Sequence, residues 1–465
     1  MHSRNVKVGL AGLGQDSFKG DKEQELRRNA DLLKAKEDIL GFQLTTHGDI
    51  IKEKDEAKKA RKRFEAENVD FMLVLNSSFA PGTLVEELSR GDYRLGLWSV
   101  AEKKNWDILP FNAFCGSNMN ASTLAEVQGE DYKFKWFYGD VEGEFFLPRF
   151  KITLRALKAL KTIEGGKIGL VVGPAPGFKN IEFKAEELKR VLGLEVDWIE
   201  DFSEIKSRAE AVSREKVKKE MARIENEARE VKVEEKFIKK TARYILALEN
   251  LAGENNYAGL ALRCWPDTNQ EYGIFPCSAM GKLNERGLPA SCEGDVYGVI
   301  NMILLQEITG NVPSLMDLVD LDFKENRALF WHCGSGPADY ARQGCYNEDY
   351  QFNNEDYGMV TDMQIKPMTA TVLNMTNNGK HLLGFKGRFV DSVDEGYHGD
   401  RGWFTDFYHL EEGQFALRDL VETIYDQRLS HHFALAEGDC LREIAELKSW
   451  LQLARTDITE YKSWL

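Results

Sequence analysis

The sequence predicts an α/β protein: two Rossmann-like parallel-sheet domains followed by a β-rich, barrel-like C-terminal domain. Over roughly the first 140 residues, short apolar runs alternate with charged helical runs, as in a parallel sheet with crossover helices. A second alternation of the same kind begins near Ile152. Past residue 320 the texture changes to short β-type runs separated by Asn- and Gly-containing turns. At 465 residues the chain is too long for one ordinary core, so domains are expected at 1–150, 151–312 and 313–465.

The elements follow in order. "VKVGLAGL" has a buried-strand pattern, and the charged run from Lys22 to Ile39 reads as its helix. "GFQLTTHG" and "VDFMLVLNSS" read as strands around the amphipathic helix "DIIKEKDEAKKARKRFEAEN", with "YRLGLWSV" as a fourth strand. Gly9, Gly12 and Gly14 run G-x-x-G-x-G, not the dinucleotide fingerprint, so a tight strand-to-helix turn is expected and no nucleotide cofactor. The second unit opens with the helix "ITLRALKALKTI", the strand "KIGLVVG", the loop "PAPGF" and the helix "NIEFKAEELKRVLG". Ser203 to Ala252, rich in charges of both signs, reads as a long solvated helix or helix pair. After the strand "YAGLALRCW" comes a helix with Val296, Val299, Ile300, Ile303, Leu304 and Ile308 on one face. Gly310 and Pro313 are its stop signals. "MTATVLNMT", "KHLLGFKGRFVDS" and "GWFTDFYHL" are the β runs of the last domain, and "DCLREIAELKSWLQL" closes the chain as a helix.

Composition narrows the function. With 43% hydrophobic and 29% charged residues the chain falls among globular proteins, and its net charge of −15 argues against nucleic acid and anionic membranes as partners. Seven scattered cysteines without a CxxC pair suggest reduced thiols. No apolar stretch approaches the roughly 18 residues of a membrane span, and no signal peptide precedes the first strand. A cytoplasmic location is expected.

Chemistry concentrates around the helix that follows "ASCEGD". Glu293 and Asp295 stand at its entrance and Asp317 just beyond its exit, while His431 and His432 adjoin near the C-terminus. The acids could compensate a helix dipole or cap a turn. Together with an imidazole they could instead form an O,O,N site for a divalent ion, Mn2+ or Mg2+ rather than zinc, since no cysteine ligands stand at useful spacing. Trp265 could stack on a sugar face or fill the core. His332 could bind hydroxyls or serve a turn, and Arg401 and Trp403 could line the same pocket.

The chain resembles the L-fucose isomerase family, related in fold to L-arabinose isomerases. The resemblance rests on "LPFNAFCGSNM" (Leu109 to Met119), "LALRCWP" (Leu260 to Pro266) and the C-terminal "HHFALAEGD". Its strongest part is E-x-D-x-x-G, a helix, T-G, and an aspartate 24 residues after the glutamate: Glu293, Asp295, Gly298, Thr309, Gly310 and Asp317. The resemblance implies metal ligands at Glu293, Asp317 and His432, with His431 the alternative, and Glu293 and Asp317 as the acid/base pair. The helix would then be a strut holding two carboxylates at opposite ends of one Mn2+ site, with Mg2+ or Co2+ as alternatives.

The implied activity is aldose–ketose isomerisation of a free, unphosphorylated sugar such as L-fucose or D-arabinose. A second reading takes the sulfonated sugar sulfoquinovose, which some shorter relatives isomerise; Arg263, Arg342, Arg388 or Arg401 would face its sulfonate. A rival of another class is a non-catalytic sugar-binding or regulatory protein. The resemblance further implies a homo-oligomer, trimer or hexamer, whose sites borrow residues from a neighbour's first domain, here "NSSFAPGT" (Asn76 to Thr83). Where the larger fucose isomerases carry an arginine that reaches a neighbouring site, this chain reads "GLGQDSFKG".

Overall fold

Among the described residues, β1 (Val6–Leu13), β2 (Phe42–Ile51), β3 (Phe71–Asn76), β4 (Arg94–Ser99) and β5 (Phe134–Tyr138) form one parallel sheet in the order β2-β1-β3-β4-β5. The computed structural model describes residues 5–104, 108–356, 358–391 and 397–463. It divides into two compact units, 1–158 and 159–465. β3 is buried at every position, as strands covered on both faces are. Gly12 and Gly14 serve packing: a Cβ on Gly12 would lie 2.9 Å from Leu26 Cδ2, and one on Gly14 would lie 2.7 Å from Lys22 Cδ. Lys22 Nζ donates to the carbonyls of Phe18 and Gly20, so the protein's own lysine occupies this tight turn. Asn76 is held inside its own unit, donating to the Trp98 carbonyl and accepting from Asn120.

The second unit begins with β6 (Lys167–Val171), β7 (Glu195–Ile199), β8 (Glu230–Val231), β9 (Gly259–Leu262) and β10 (Ala290–Ser291). A parallel sheet runs β10-β9-β6-β7. The expected long solvated helix or helix pair is instead three helices, Phe202–Ala211, Arg214–Glu227 and Glu235–Asn255, with β8 between the last two. Ser213 caps the second, accepting from the Lys216 N–H. The third is not solvated: Phe237, Ile238, Tyr244, Ile245, Leu248 and Leu251 are buried. Dense charge on its other face masked that apolar stripe.

The remaining strands are β11 (Pro313–Asp322), β12 (Arg327–His332), β13 (Asn347–Tyr350), β14 (Gly358–Gln364), β15 (Met368–Thr376), β16 (His381–Phe389), β17 (Asp400–His409), β18 (Gly413–Gln414) and β19 (His432–Glu437). Among the described residues, six of them close a ring, β12-β11-β19-β15-β16-β17 and back to β12, every pair antiparallel. The barrel expected from the sequence is therefore present, filled by Phe330, Phe385, Phe389, Phe404, Phe407 and Phe433. Of the sequence segments expected here, Ser392 and Gly396 lie outside the described residues.

The helix Val296–Thr309 packs against both the parallel sheet and the barrel, so it is buried on more than the one predicted face. Gly310, at φ +74°, ends it as a left-handed cap, as expected. Among the described residues, no helix is long and apolar enough to cross a membrane.

Candidate active site

Glu293 lies in a strained turn between β10 and the buried helix. Its φ is +59°, unusual for a residue with a side chain, and Gly294 follows at +69°. A Cβ on Gly294 would lie 2.2 Å from the Gly173 carbonyl, so only glycine fits there. Contacts on both sides hold the turn. The Ala175 N–H donates to the Glu293 carbonyl at 2.8 Å, and the Gly294 N–H donates to the Leu262 carbonyl at 3.0 Å. The carboxylate thus rests on the C-terminal edge of the parallel sheet, where such sheets place their sites.

Asp317 reaches the same place by another route. The expectation of a strut with carboxylates at opposite ends needs correction, because a 14-residue helix is about 21 Å long. β11 runs back toward the helix N-terminus: a Cβ on Gly298, in the first turn, would lie 3.1 Å from Leu315 Cδ1. Asp317 is therefore a strand residue, not a turn residue, and it pairs in register with His432 of β19. Met316 and Phe433 turn into the barrel core. By strand alternation Asp317 and His432 face outward, toward the helix.

His432 is the hub. Its Nδ1–H donates to Asp295 Oδ2 at 2.9 Å, and its Nε2 lies 3.6 Å from Glu293 Oε2 and 3.8 Å from Asp317 Oδ1. Asn374 donates to the His432 carbonyl at 2.7 Å, fixing the strand end. Asp295 is fully buried and, although it stands at the helix cap position, its side chain caps no N–H. A Cβ on Gly298 would lie 2.6 Å from Asp295 Oδ2, so the glycine of E-x-D-x-x-G makes room for that carboxylate. From the sequence Asp295 is an acid at the helix entrance, a dipole compensator or one of the carboxylates of a metal site; its hold on His432 was not foreseen, and the motif glycine was the signal that could have given it.

His431 is more exposed. Its Nε2 meets Glu293 Oε2 at 3.1 Å, its Nδ1 meets the Asn180 amide at 2.8 Å, and Phe178 packs edge-on against the ring. Burial works against its charged form, but Glu293, Asp317 and Asp295 outweigh that and raise its pKa. His332 is buried beside Cys292, with Nε2 3.1 Å from Sγ, and its Nδ1 meets Ser335 Oγ at 3.1 Å. Burial opposes charge there too, yet Cys333, Asp317 and Glu293 push His332 up to about 10. Asp400, across from His332 on β17, is raised to about 8 by burial, against hydrogen bonds from the Gly336 N–H and Thr361 hydroxyl. Cys292 also lies 3.5 Å from His432 Nε2. Cys292, at no useful spacing along the chain, therefore stands within reach of both imidazoles in three dimensions, contrary to expectation.

The other candidates divide. Trp265 is half-exposed just past β9. Arg401 and Trp403 alternate with the inward-facing Phe404 and turn to the outside of the barrel. Arg401 donates to Asp362 at 2.8 Å, and Trp403 lies under the Arg327 guanidinium, so neither joins the Glu293–His432 cluster. Of the four arginines considered for an anion, Arg263 pairs with Asp267, Arg342 with Asp391, Arg388 with Asp406 and Arg401 with Asp362. A cavity of about 490 Å³ opens beside Asp317 and His431 over Leu318, Val421, Ile424 and Phe433.

Among the described residues, two sets of possible ligand atoms share His432: Glu293, His431 and His432, and Cys292, His332 and His432. The third set, Asp349, Asp362 and His398, is already neutralised by Lys232 and Arg401 at 2.7 and 2.8 Å. The first region fits a cation. Asp317 Oδ1 is buried and accepts no hydrogen bond from a described residue, and a carboxylate on Nδ1 of His432 leaves its Nε2 bare toward two acids. Asp295→Asn is expected to weaken binding of a divalent cation at this site by about 10–100-fold through loss of that support, with little change in the circular dichroism spectrum. Isothermal titration with Mn2+ checks it.

Fold and site together define a protein with a parallel-sheet unit and a β-barrel whose junction gathers three acids around one buried imidazole. The chain is 27% identical over 408 residues to proteins named sulfoquinovose isomerase from Priestia aryabhattai and Priestia megaterium, covering 87% of this chain and 89% of each of theirs. It is 25% identical over 394 residues to one of the same name from Alkalicoccus urumqiensis, covering 84% of this chain and 86% of that one. No protein-family model matches the chain.

Proposed function

We propose that this protein is an aldose–ketose isomerase acting on sulfoquinovose. What supports the reading is the convergence of Glu293 and Asp317 on His432 Nε2, in a chain similar over 87% of its length to proteins named for that activity. The alternative weighed second in the sequence therefore displaces L-fucose and D-arabinose as first substrate. Glu293, Asp317 and His432 would hold the ion, Mn2+ in first place. When bound, it would supply the Lewis acidity that makes the substrate's carbon acid and steadies enediolate charge.

The chain's own residues do the rest. Glu293 removes the proton from the carbon beside the carbonyl, Glu293 or Asp317 returns one to the neighbouring carbon, and the hydroxyl proton passes from the second oxygen to the first, so that one carbonyl is exchanged for the other. Asp295 keeps the His432 ring from rotating. His332, His431 and Trp265 bind hydroxyls or a sugar face. Arg263, at the C-terminal end of β9, would exchange Asp267 for the sulfonate. On this reading the chain works as three domains, 1–150, 151–312 and 313–465, within a homo-oligomer.

Proton NMR in D2O tests it, with Mn2+ and a panel of sulfoquinovose, L-fucose and D-arabinose, with and without EDTA. Expected are ketose formation from sulfoquinovose, deuterium at the transferred position, and loss of both on chelation. Binding of the sugar without exchange would instead favour a non-catalytic sugar-binding protein.

A further inference from the structure

Cys292, His332 and His432 come from three separate places in the chain, the residue just after β10, the last residue of β12 and the first of β19, and all are buried. Cys292 Sγ lies 3.5 Å from His432 Nε2 and 3.1 Å from His332 Nε2. Around a tetrahedral zinc ion, bond lengths of about 2.3 Å to sulfur and 2.0 Å to nitrogen give S···N edges of about 3.5 Å. The first edge already matches, and the second needs to open by only a few tenths of an ångström. Each imidazole is also held from behind through Nδ1, His432 by Asp295 and His332 by Ser335, so each presents Nε2 inward. Glu293 Oε2 and Asp317 Oδ1, 3.6 and 3.8 Å from His432 Nε2, add negative charge alongside, which attracts a cation.

We propose that Cys292, His332 and His432 form a second, thiol-bearing site that takes a borderline divalent ion such as Zn2+. As the ion binds, the Cys292 thiol releases its proton to solvent and its sulfur donates an electron pair; nothing is oxidised or reduced. His432 Nε2 has one lone pair, so an ion on Cys292 excludes one on Glu293 and Asp317. Zinc therefore holds the isomerase in an inactive form. This exclusion rests on the reading of His432 as a ligand of the catalytic ion, whereas the thiol site itself does not.

The full-length protein, stripped with chelator, is titrated with Cd2+, which reports a thiolate bond by near-ultraviolet charge-transfer absorption. Mn2+ binding is followed separately by electron paramagnetic resonance. Expected are a saturable charge-transfer band, its displacement by Zn2+, its loss in Cys292→Ser and its survival in Cys333→Ser. Zinc affinity should fall at least about a hundredfold in Cys292→Ser, beyond what loss of an outer-shell partner causes. Zn2+ should also release bound Mn2+. A wild-type protein that binds Mn2+ but shows no band with Cd2+ overturns the thiol site and leaves the isomerase reading standing. A band that survives in Cys292→Ser overturns the assignment of the cysteine. Failure to bind Mn2+, with the band intact, overturns the exclusion and the metal part of the isomerase reading while the thiol site stands.

Discussion

Glu293→Gln is expected to lower kcat on sulfoquinovose by about 10³-fold or more while the protein stays folded. A carboxylate that carries the proton between carbons contributes about 10²–10⁴-fold by that role alone, and an amide cannot accept the proton. Glutamine has nearly the same shape, and the backbone contacts that hold the turn, from the Ala175 N–H and to the Leu262 carbonyl, do not involve the side chain. The strain at φ +59° is likewise unchanged. His431 loses its partner at 3.1 Å, so its raised pKa should fall toward the ordinary imidazole value. Deuterium incorporation by NMR gives the rate, and histidine chemical shifts against pH give the imidazole. A variant retaining kcat within tenfold of wild type would remove Glu293 from the proton path.

The second large effect concerns stability. Lys282→Met is expected to cost about 3–5 kcal/mol, because it leaves a buried carboxylate without its counter-charge. Lys282 and Glu348 are 2% and 0% exposed, their Nζ and Oε1 are 2.9 Å apart, and Ser278 donates to the same carboxylate oxygen at 3.0 Å. The pair fastens the helix Cys277–Glu285 to β13, and Cys277 at that helix's start lies 3.5 Å from Cys333, the neighbour of His332. Burial pushes the Glu348 carboxyl up, and Lys282 pulls it back. Without the lysine the folded protein keeps a proton on Glu348 that the unfolded chain gives up near pH 4.5. The variant should therefore lose stability as pH rises from there through the folded pKa. Urea unfolding at a low and a neutral pH measures both parts. Replacing both residues, Lys282→Met with Glu348→Leu, should recover most of the loss, since no buried charge remains. A single-variant loss below about 1 kcal/mol at neutral pH would mean the carboxylate is stabilised by other contacts.

Local pattern was enough for the fold class. Alternating apolar and helical runs predicted parallel sheets, turn-punctuated β runs predicted the barrel, and Gly310 with Pro313 marked where the buried helix stops. These are properties of a few consecutive residues, and periodicity reads them directly. The same reading failed between Ser203 and Ala252, where charge on the outer face hid a buried stripe. In the site, sequence alone singled out Glu293, Asp295, Asp317, His431 and His432. It could not say that Asp317 returns along β11 to face His432, that Asp295 turns from the helix end to that histidine, or that Cys292 stands beside it. Asp295 and His432 are 137 residues apart, and Cys292 and His432 are 140 apart. Such contacts follow from strand register and from a left-handed backbone at Glu293, and both are set by packing between distant segments. A single strand or turn therefore names residues able to act, while which of them come together depends on how segments far apart in the chain pack.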